Sequence, residues 1–201
     1  MGRSIASRTA SRLAVAFAVL FSSQAFSVER EVCFGCHGAG GASTVPLTPS
    51  LGGQPSFFTV AQLFLFRGGR RNKAPTAMDA YAKNLSDADL QSLAAVFEKQ
   101  KPPQPPAQPP DRARFDKGRQ LVEGRNCGVC HNPDYSGREQ MPRLAGQRED
   151  YLLKAMRDYK SGQRIGYGSA TMPEELSGFS DADLAAAAHF LAHLAPAAKR
   201  R

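Results

Sequence analysis

The pattern Cys-x-x-Cys-His occurs twice, as Cys33-Phe34-Gly35-Cys36-His37 and Cys127-Gly128-Val129-Cys130-His131, and the two copies use all four cysteines of the 201-residue chain. At that spacing two thiols can add across the vinyl groups of a porphyrin while the adjacent histidine reaches the iron from the same turn. Two disulfides, a redox dithiol or half a zinc site would each account for paired cysteines. None of them needs a histidine directly after the second cysteine in both copies. The pattern therefore predicts two covalently bound haem c groups, attached through Cys33, Cys36, Cys127 and Cys130, with His37 and His131 as axial iron ligands.

Residues 1–27 read as an export signal peptide. Arg3, Arg8 and Arg12 precede the apolar run Leu13 to Phe21, and small residues follow before a cut after Ala25 or Ser27. That run is too short to span a bilayer comfortably, so the mature chain is expected in the periplasm. The formal charge of +8 falls to +5 once the three leader arginines are removed. Neither half then carries a strong single-sign field, which argues against a nucleic-acid partner.

An internal repeat divides the rest. A shift of 94 lays His37 on His131, Met78 on Met172, and Leu85-Ser86-Asp87-Ala88-Asp89-Leu90 on Phe179-Ser180-Asp181-Ala182-Asp183-Leu184. A one-residue gap aligns Pro49-Ser50-Leu51-Gly52-Gly53-Gln54 with Pro142-Arg143-Leu144-Ala145-Gly146-Gln147. Between the copies, residues 101–110 form a proline-rich, semi-rigid linker. The domains are accordingly set at 28–100 and 111–201. Each is small enough that a buried haem would supply apolar mass that its own side chains lack.

Both units read as all-α. Ser86 and Ser180 are N-cap signals with acids in the following turn, opening apolar helices that end near Gln100 and Leu194. Phe57 to Phe66 and Glu149 to Lys160 are expected as middle helices, Phe115 to Gly124 as a lead helix of unit two, and the segments after each haem motif as loops.

Each iron needs a second axial ligand. Met78 is the only methionine between the first haem motif and the linker, and the repeat places Met172 opposite it. Met141 and Met156 compete for the second iron, but neither has a counterpart in unit one. A thioether opposite an imidazole favours ferrous iron and leaves no open position, which suits electron transfer. A ligating histidine usually donates its other ring nitrogen to a carbonyl. Pro49 and Pro142 are the candidates to supply it; the alternative is that these prolines only stiffen a turn. Arg71 and Arg164 are aligned bases that could meet haem propionates, although a solvated surface is the default expectation.

The chain resembles the cytochrome c4 family of dihaem cytochromes c across essentially the whole mature sequence. The residues that carry the resemblance are the paired Cys-x-x-Cys-His motifs, Pro-x-Leu-x-Gly-Gln in both halves, Phe66-Arg67-Gly68-Gly69-Arg70, and methionine followed after eight residues by Ser-Asp-Ala-Asp-Leu. The resemblance implies two tandem class I cytochrome c-like domains related by approximate twofold symmetry, their haems close enough for fast transfer. Pro49 and Pro142 match the family's histidine-supporting proline. It further implies a soluble or loosely membrane-attached carrier that takes electrons from a respiratory complex and delivers them to a terminal oxidase, with no substrate chemistry of its own. The competing reading is a cytochrome subunit of a dehydrogenase complex, for example with a flavoprotein. A dihaem enzyme or gas sensor would need an open iron; His189 and His193, one helical turn apart, are expected in surface or packing roles instead.

Two departures from the family pattern stand out. Cleavage near Ser27 leaves only a few residues before Cys33, so unit one would lack a lead helix unless the leader is cut earlier or kept. The stretch His131-Asn132-Pro133-Asp134-Tyr135 also replaces the glycine-rich segment that follows His37.

Overall fold

The computed structural model describes residues 30–166 and 170–196. The export signal and the basic tail Lys199 to Arg201 fall outside these residues, as does any lead helix of unit one. Unit one contains α1 (Arg30–His37), a 3₁₀ turn at Ala39–Gly41, α2 (Ser56–Arg67), α3 (Ala77–Ala82) and α4 (Asp87–Lys99). Unit two contains α5 (Arg112–Gly124), α6 (Gly128–His131), α7 (Glu149–Lys160), α8 (Met172–Glu175) and α9 (Asp181–Ala192). Among the described residues no strand forms, and pairing is limited to isolated bridges at Asn72–Arg164 and Arg138–Met141.

The capping signals act as the sequence suggests. Ser86 Oγ accepts from Asp89 N at 3.2 Å while Asp89 Oδ2 accepts from Ser86 N at 2.8 Å. Ser180 and Asp183 repeat the exchange at 3.1 and 3.0 Å. Such reciprocal boxes satisfy two orphan donors and contribute about 1 kcal/mol each. The short helices α3 and α8 lack the apolar periodicity that marks longer ones; a Thr76–Asp79 capping box starts α3, and a proline in the first turn starts α8.

In unit two, α5 crosses α9 at Gly118. A Cβ there would lie 2.0 Å from Ala186 O and 2.8 Å from Phe190 Cβ, so only glycine permits this approach. Phe115 and Tyr135 meet Phe190 edge-on, with centroids 5.1 and 6.1 Å away. Val122, Leu152, Met156, Leu184 and Leu191 complete this core. Unit one packs Leu90, Leu93, Ala94 and Phe97 of α4 inward, and Phe34 stands edge-on to Phe97 at 5.8 Å.

The linker is packed against both units. Its Pro102 closes on Gly53 and its Pro103 on Gly146, where an added Cβ would come within 2.8 and 2.5 Å respectively. These two glycines are equivalent in the repeat, so the linker sits astride an approximate twofold relation.

Candidate functional site

Each Cys-x-x-Cys-His copy forms a helical turn. Cys33, Cys36 and His37 lie on α1, and Cys127 caps α6, which carries Cys130 and His131. None of the four cysteines is paired in a disulfide. Burial pushes Cys33 and Cys127 above the usual thiol range, the opposite of an activated redox dithiol. Among the described residues the three-donor cluster that could hold a metal ion, Glu149 with His189 and His193, contains no cysteine.

His37 and His131 are buried, at 6 % and 7 % exposure. His37 Nδ1 lies 2.8 Å from Pro49 O and His131 Nδ1 lies 2.9 Å from Pro142 O. A carbonyl only accepts, so Nδ1 carries the proton and Nε2 is left with a bare lone pair. Burial lowers the pKa of both rings, outweighing the opposite pull of the proline carbonyls, and keeps them neutral. Neutral imidazole with its Nδ1 proton engaged is the form that ligates metal.

The turn that follows each histidine needs a residue with positive φ. Gly38 supplies it in unit one (φ 82°) and Asn132 in unit two (φ 68°), where the Asn132 side chain donates to Gly137 O at 2.8 Å. Gly41 O then accepts from Leu51 N and Gly52 N, as Tyr135 O accepts from Leu144 N and Ala145 N. The divergent second loop thus keeps the backbone of the first.

Met78 stands half-buried on α3 and Met172 half-buried on α8, the latter packed against the unit-two core. Met156 is buried within that core, and Met141 is held in a tight exchange of backbone bonds with Arg138.

Arg71 and Arg164 depart from the solvated default. They are buried at 8 % and 5 % exposure, stacked on Phe66 and Tyr159 with guanidinium-to-ring distances of 4.6 and 4.3 Å. Antiparallel backbone contacts hold them together, Ile165 N donating to Arg71 O at 2.8 Å and Lys73 N to Gln163 O at 2.9 Å. Among the described residues neither arginine forms a salt bridge, and Arg164 Nε and Arg143 Nη1 are buried without a partner. Burial lowers the Arg71 pKa, and the Arg164 charge lowers it further. Buried cations with unused donors fit a group that brings its own carboxylates, as haem propionates do. His189 takes the packing role: it is buried, its Nδ1 lies 2.8 Å from Glu149 Oε2, and His193 Nδ1 lies 2.8 Å from His189 O.

Sequence reasoning assigned no role to Gln54, Gln62, Gln147 or Tyr151. All four take part in contacts between the units. Gln54 Nε2 donates to Arg143 O and Gln147 Nε2 to Ser50 O, while Tyr151 OH accepts from Arg71 Nη2 at 3.2 Å. The available signal was the exact recurrence of a glutamine at the end of both Pro-x-Leu-x-Gly-Gln segments.

Comparison with known proteins agrees with this geometry. The family model described as cytochrome c matches residues 115–195, and the model for cytochrome c oxidase, cbb3-type, subunit III matches residues 24–95. Cytochrome c4 of Azotobacter vinelandii is 31% identical over 174 residues, covering 80% of this chain and 83% of the relative. A thiosulfate dehydrogenase electron acceptor of Thiomonas intermedia is 34% identical over 173 residues, covering 82% and 79%. The crystal structure of reduced recombinant cytochrome c4 from Pseudomonas stutzeri superposes with a TM-score of 0.72 at 29% identity, over 82% of this chain and 94% of that one.

Proposed function

The chain belongs to the cytochrome c4 family, with two cytochrome c domains and two covalently bound haem c groups, and from that premise we propose that it is a periplasmic carrier of single electrons. In this reading it runs between a respiratory donor and a terminal oxidase or similar acceptor. The observation that carries the proposal is the doubled site: two Cys-x-x-Cys-His turns, each with a buried neutral histidine whose Nδ1 is held by a proline carbonyl.

When bound, haem supplies a reversible one-electron ferric/ferrous couple. The chain's own residues do the rest. Cys33, Cys36, Cys127 and Cys130 hold the porphyrins covalently. His37 and His131 would hold the irons through Nε2, with Pro49 and Pro142 fixing their tautomer and orientation. Met78 and Met172 would supply the second ligand to each iron and so close it to added ligands. Arg71 and Arg164 offer buried guanidinium groups to the propionates. Domains at 28–100 and 111–201, joined by 101–110, keep the two sites in one body, and the signal at 1–27 directs export.

A second reading is favoured by the Thiomonas intermedia relative, which is described as the electron acceptor of thiosulfate dehydrogenase. On that reading the protein takes electrons directly from a catalytic partner. Visible spectroscopy with haem counted per chain tests both: two haems with the far-red methionine-to-ferric-iron band support the carrier, whereas a vacant site or a missing band overturns it. Co-purification in a fixed ratio with a dehydrogenase would move the second reading ahead.

A further inference from the structure

The peptide unit between Pro49 and Ser50 is engaged on both sides. Its oxygen lies 2.8 Å from His37 Nδ1, and its N–H, that of Ser50, donates at 2.8 Å to Oε1 of Gln147 in the other unit. The peptide unit between Pro142 and Arg143 repeats this with the units exchanged. Its oxygen lies 2.9 Å from His131 Nδ1, and the Arg143 N–H donates at 3.0 Å to Oε1 of Gln54. Each glutamine also returns its Nε2 to the carbonyl of the residue it clamps, Gln147 to Ser50 O at 2.8 Å and Gln54 to Arg143 O at 3.0 Å. Ser50, Gln54 and Gln147 are buried, at 2 %, 4 % and 3 % exposure.

We propose that Gln54 and Gln147 are positioning residues that reach across the domain boundary to tune the axial histidine of the opposite haem. This rests on the reading of His37 and His131 as iron ligands. An amide whose N–H is accepted by a strong acceptor carries more negative charge on its oxygen, and hydrogen bonds in series polarise one another by roughly 10–30 % per bond. Gln147 therefore makes the Pro49 carbonyl a stronger acceptor for the His37 Nδ1 proton. A histidine that gives up more of that proton is a more basic ligand, which favours ferric iron and lowers the potential. Gln54 does the same for His131 through Pro142. The glutamine–backbone bonds of the relay are buried, where a low local dielectric strengthens them. Each domain thus sets part of the electron affinity of the other.

The test uses the full-length holoprotein. Gln147→Leu removes the acceptor while keeping similar bulk, and Gln54→Leu is its mirror. Both midpoint potentials are read by spectroelectrochemistry, with the haems and the histidine Nδ1 protons assigned by NMR. Gln147→Leu is expected to raise the potential of the haem at His37 and to shift the His37 Nδ1 proton upfield, leaving the haem at His131 in place. Gln54→Leu is expected to do the reverse. Movement of the haem in the glutamine's own domain, equal movement of both, or movement of neither overturns the relay. Should a leucine variant fail to load haem, Gln147→Met and Gln54→Met, equally without an amide, are read against the same outcomes. In the wild type, the absence of a ring-current-shifted Nδ1 proton at His37 would sink the ligand assignment itself, separately from the relay.

Discussion

Arg71 and Arg164 donate to the same acceptor, the Oε1 of Gln62, at 2.9 Å each. Two buried guanidinium groups on one amide oxygen leave positive charge that no carboxylate of the described residues neutralises. With ionised propionates on them, these guanidinium groups screen negative charge that would otherwise favour ferric iron. Arg164→Gln and Arg71→Gln are each expected to lower a haem potential by roughly 50 mV, a little under a tenfold change in a one-electron equilibrium. Unchanged potentials in both variants would place the propionates elsewhere.

Met78 and Met172 are the thioethers proposed as iron ligands, whereas Met156 is buried in the unit-two core. Met78→Ala and Met172→Ala should each abolish one far-red band, lower one potential and admit carbon monoxide to one ferrous haem, with covalent attachment intact. Met156→Leu, a volume-conserving change within the unit-two core, should leave spectrum and potentials alone and cost less than about 1.5 kcal/mol. A lost band in the Met156 variant would show that the wrong thioether was named.

The helix crossing at Gly118 has no room for a side chain. Gly118→Ala places a methyl against Ala186 O and Phe190 Cβ, so α5 and α9 must separate. A destabilisation on the order of 1–3 kcal/mol is expected, visible as a lower midpoint of thermal or denaturant unfolding. A variant as stable as the wild type would mean that the crossing relaxes freely.

Much of this fold could be read from the chain because its signals are local. Cys-x-x-Cys-His, the Ser86 and Ser180 caps and the two middle helices each depend on neighbours a few residues away. The burial of Arg71 and Arg164 was not legible, since an arginine reads as exposed until a second unit covers it. The same holds for Gln54 and Gln147, whose partners lie 89 and 97 residues distant in sequence. The short helices α3 and α8 carry too few residues to show a period.

Asn132 illustrates a departure in sequence that preserves structure. At φ 68° it occupies the conformation Gly38 takes in unit one, and its amide bonds Gly137 O and Ser136 Oγ. Asn132→Ala should therefore cost more stability than Asn132→Gly, because alanine is strained at φ 68°, ψ 154°, a region essentially reserved for glycine, while glycine loses only the side-chain bonds. Equal unfolding midpoints for the two variants would contradict this account.

The interface also carries a pH-sensitive contact at Asp150. Burial alone would raise the pKa of this carboxyl, but hydrogen bonds from Arg148 and from Leu47 N, the latter across the units at 3.1 Å, outweigh it and hold the pKa below the usual carboxylate range. A group whose pKa is depressed on folding stabilises the native state above its unfolded pKa and loses that contribution as pH falls through the folded value. Asp150→Asn should therefore be less stable than the wild type near neutrality. The gap between the two should close on acidification through and below the ordinary carboxylate range. The side chain is 34% exposed, so solvent screening keeps the effect modest and salt should shrink it further. Unfolding midpoints of the holoprotein measured against pH for both proteins decide the matter: converging curves support stabilisation by an ionised Asp150, whereas a gap that stays constant down to acid pH would assign the loss to altered packing alone.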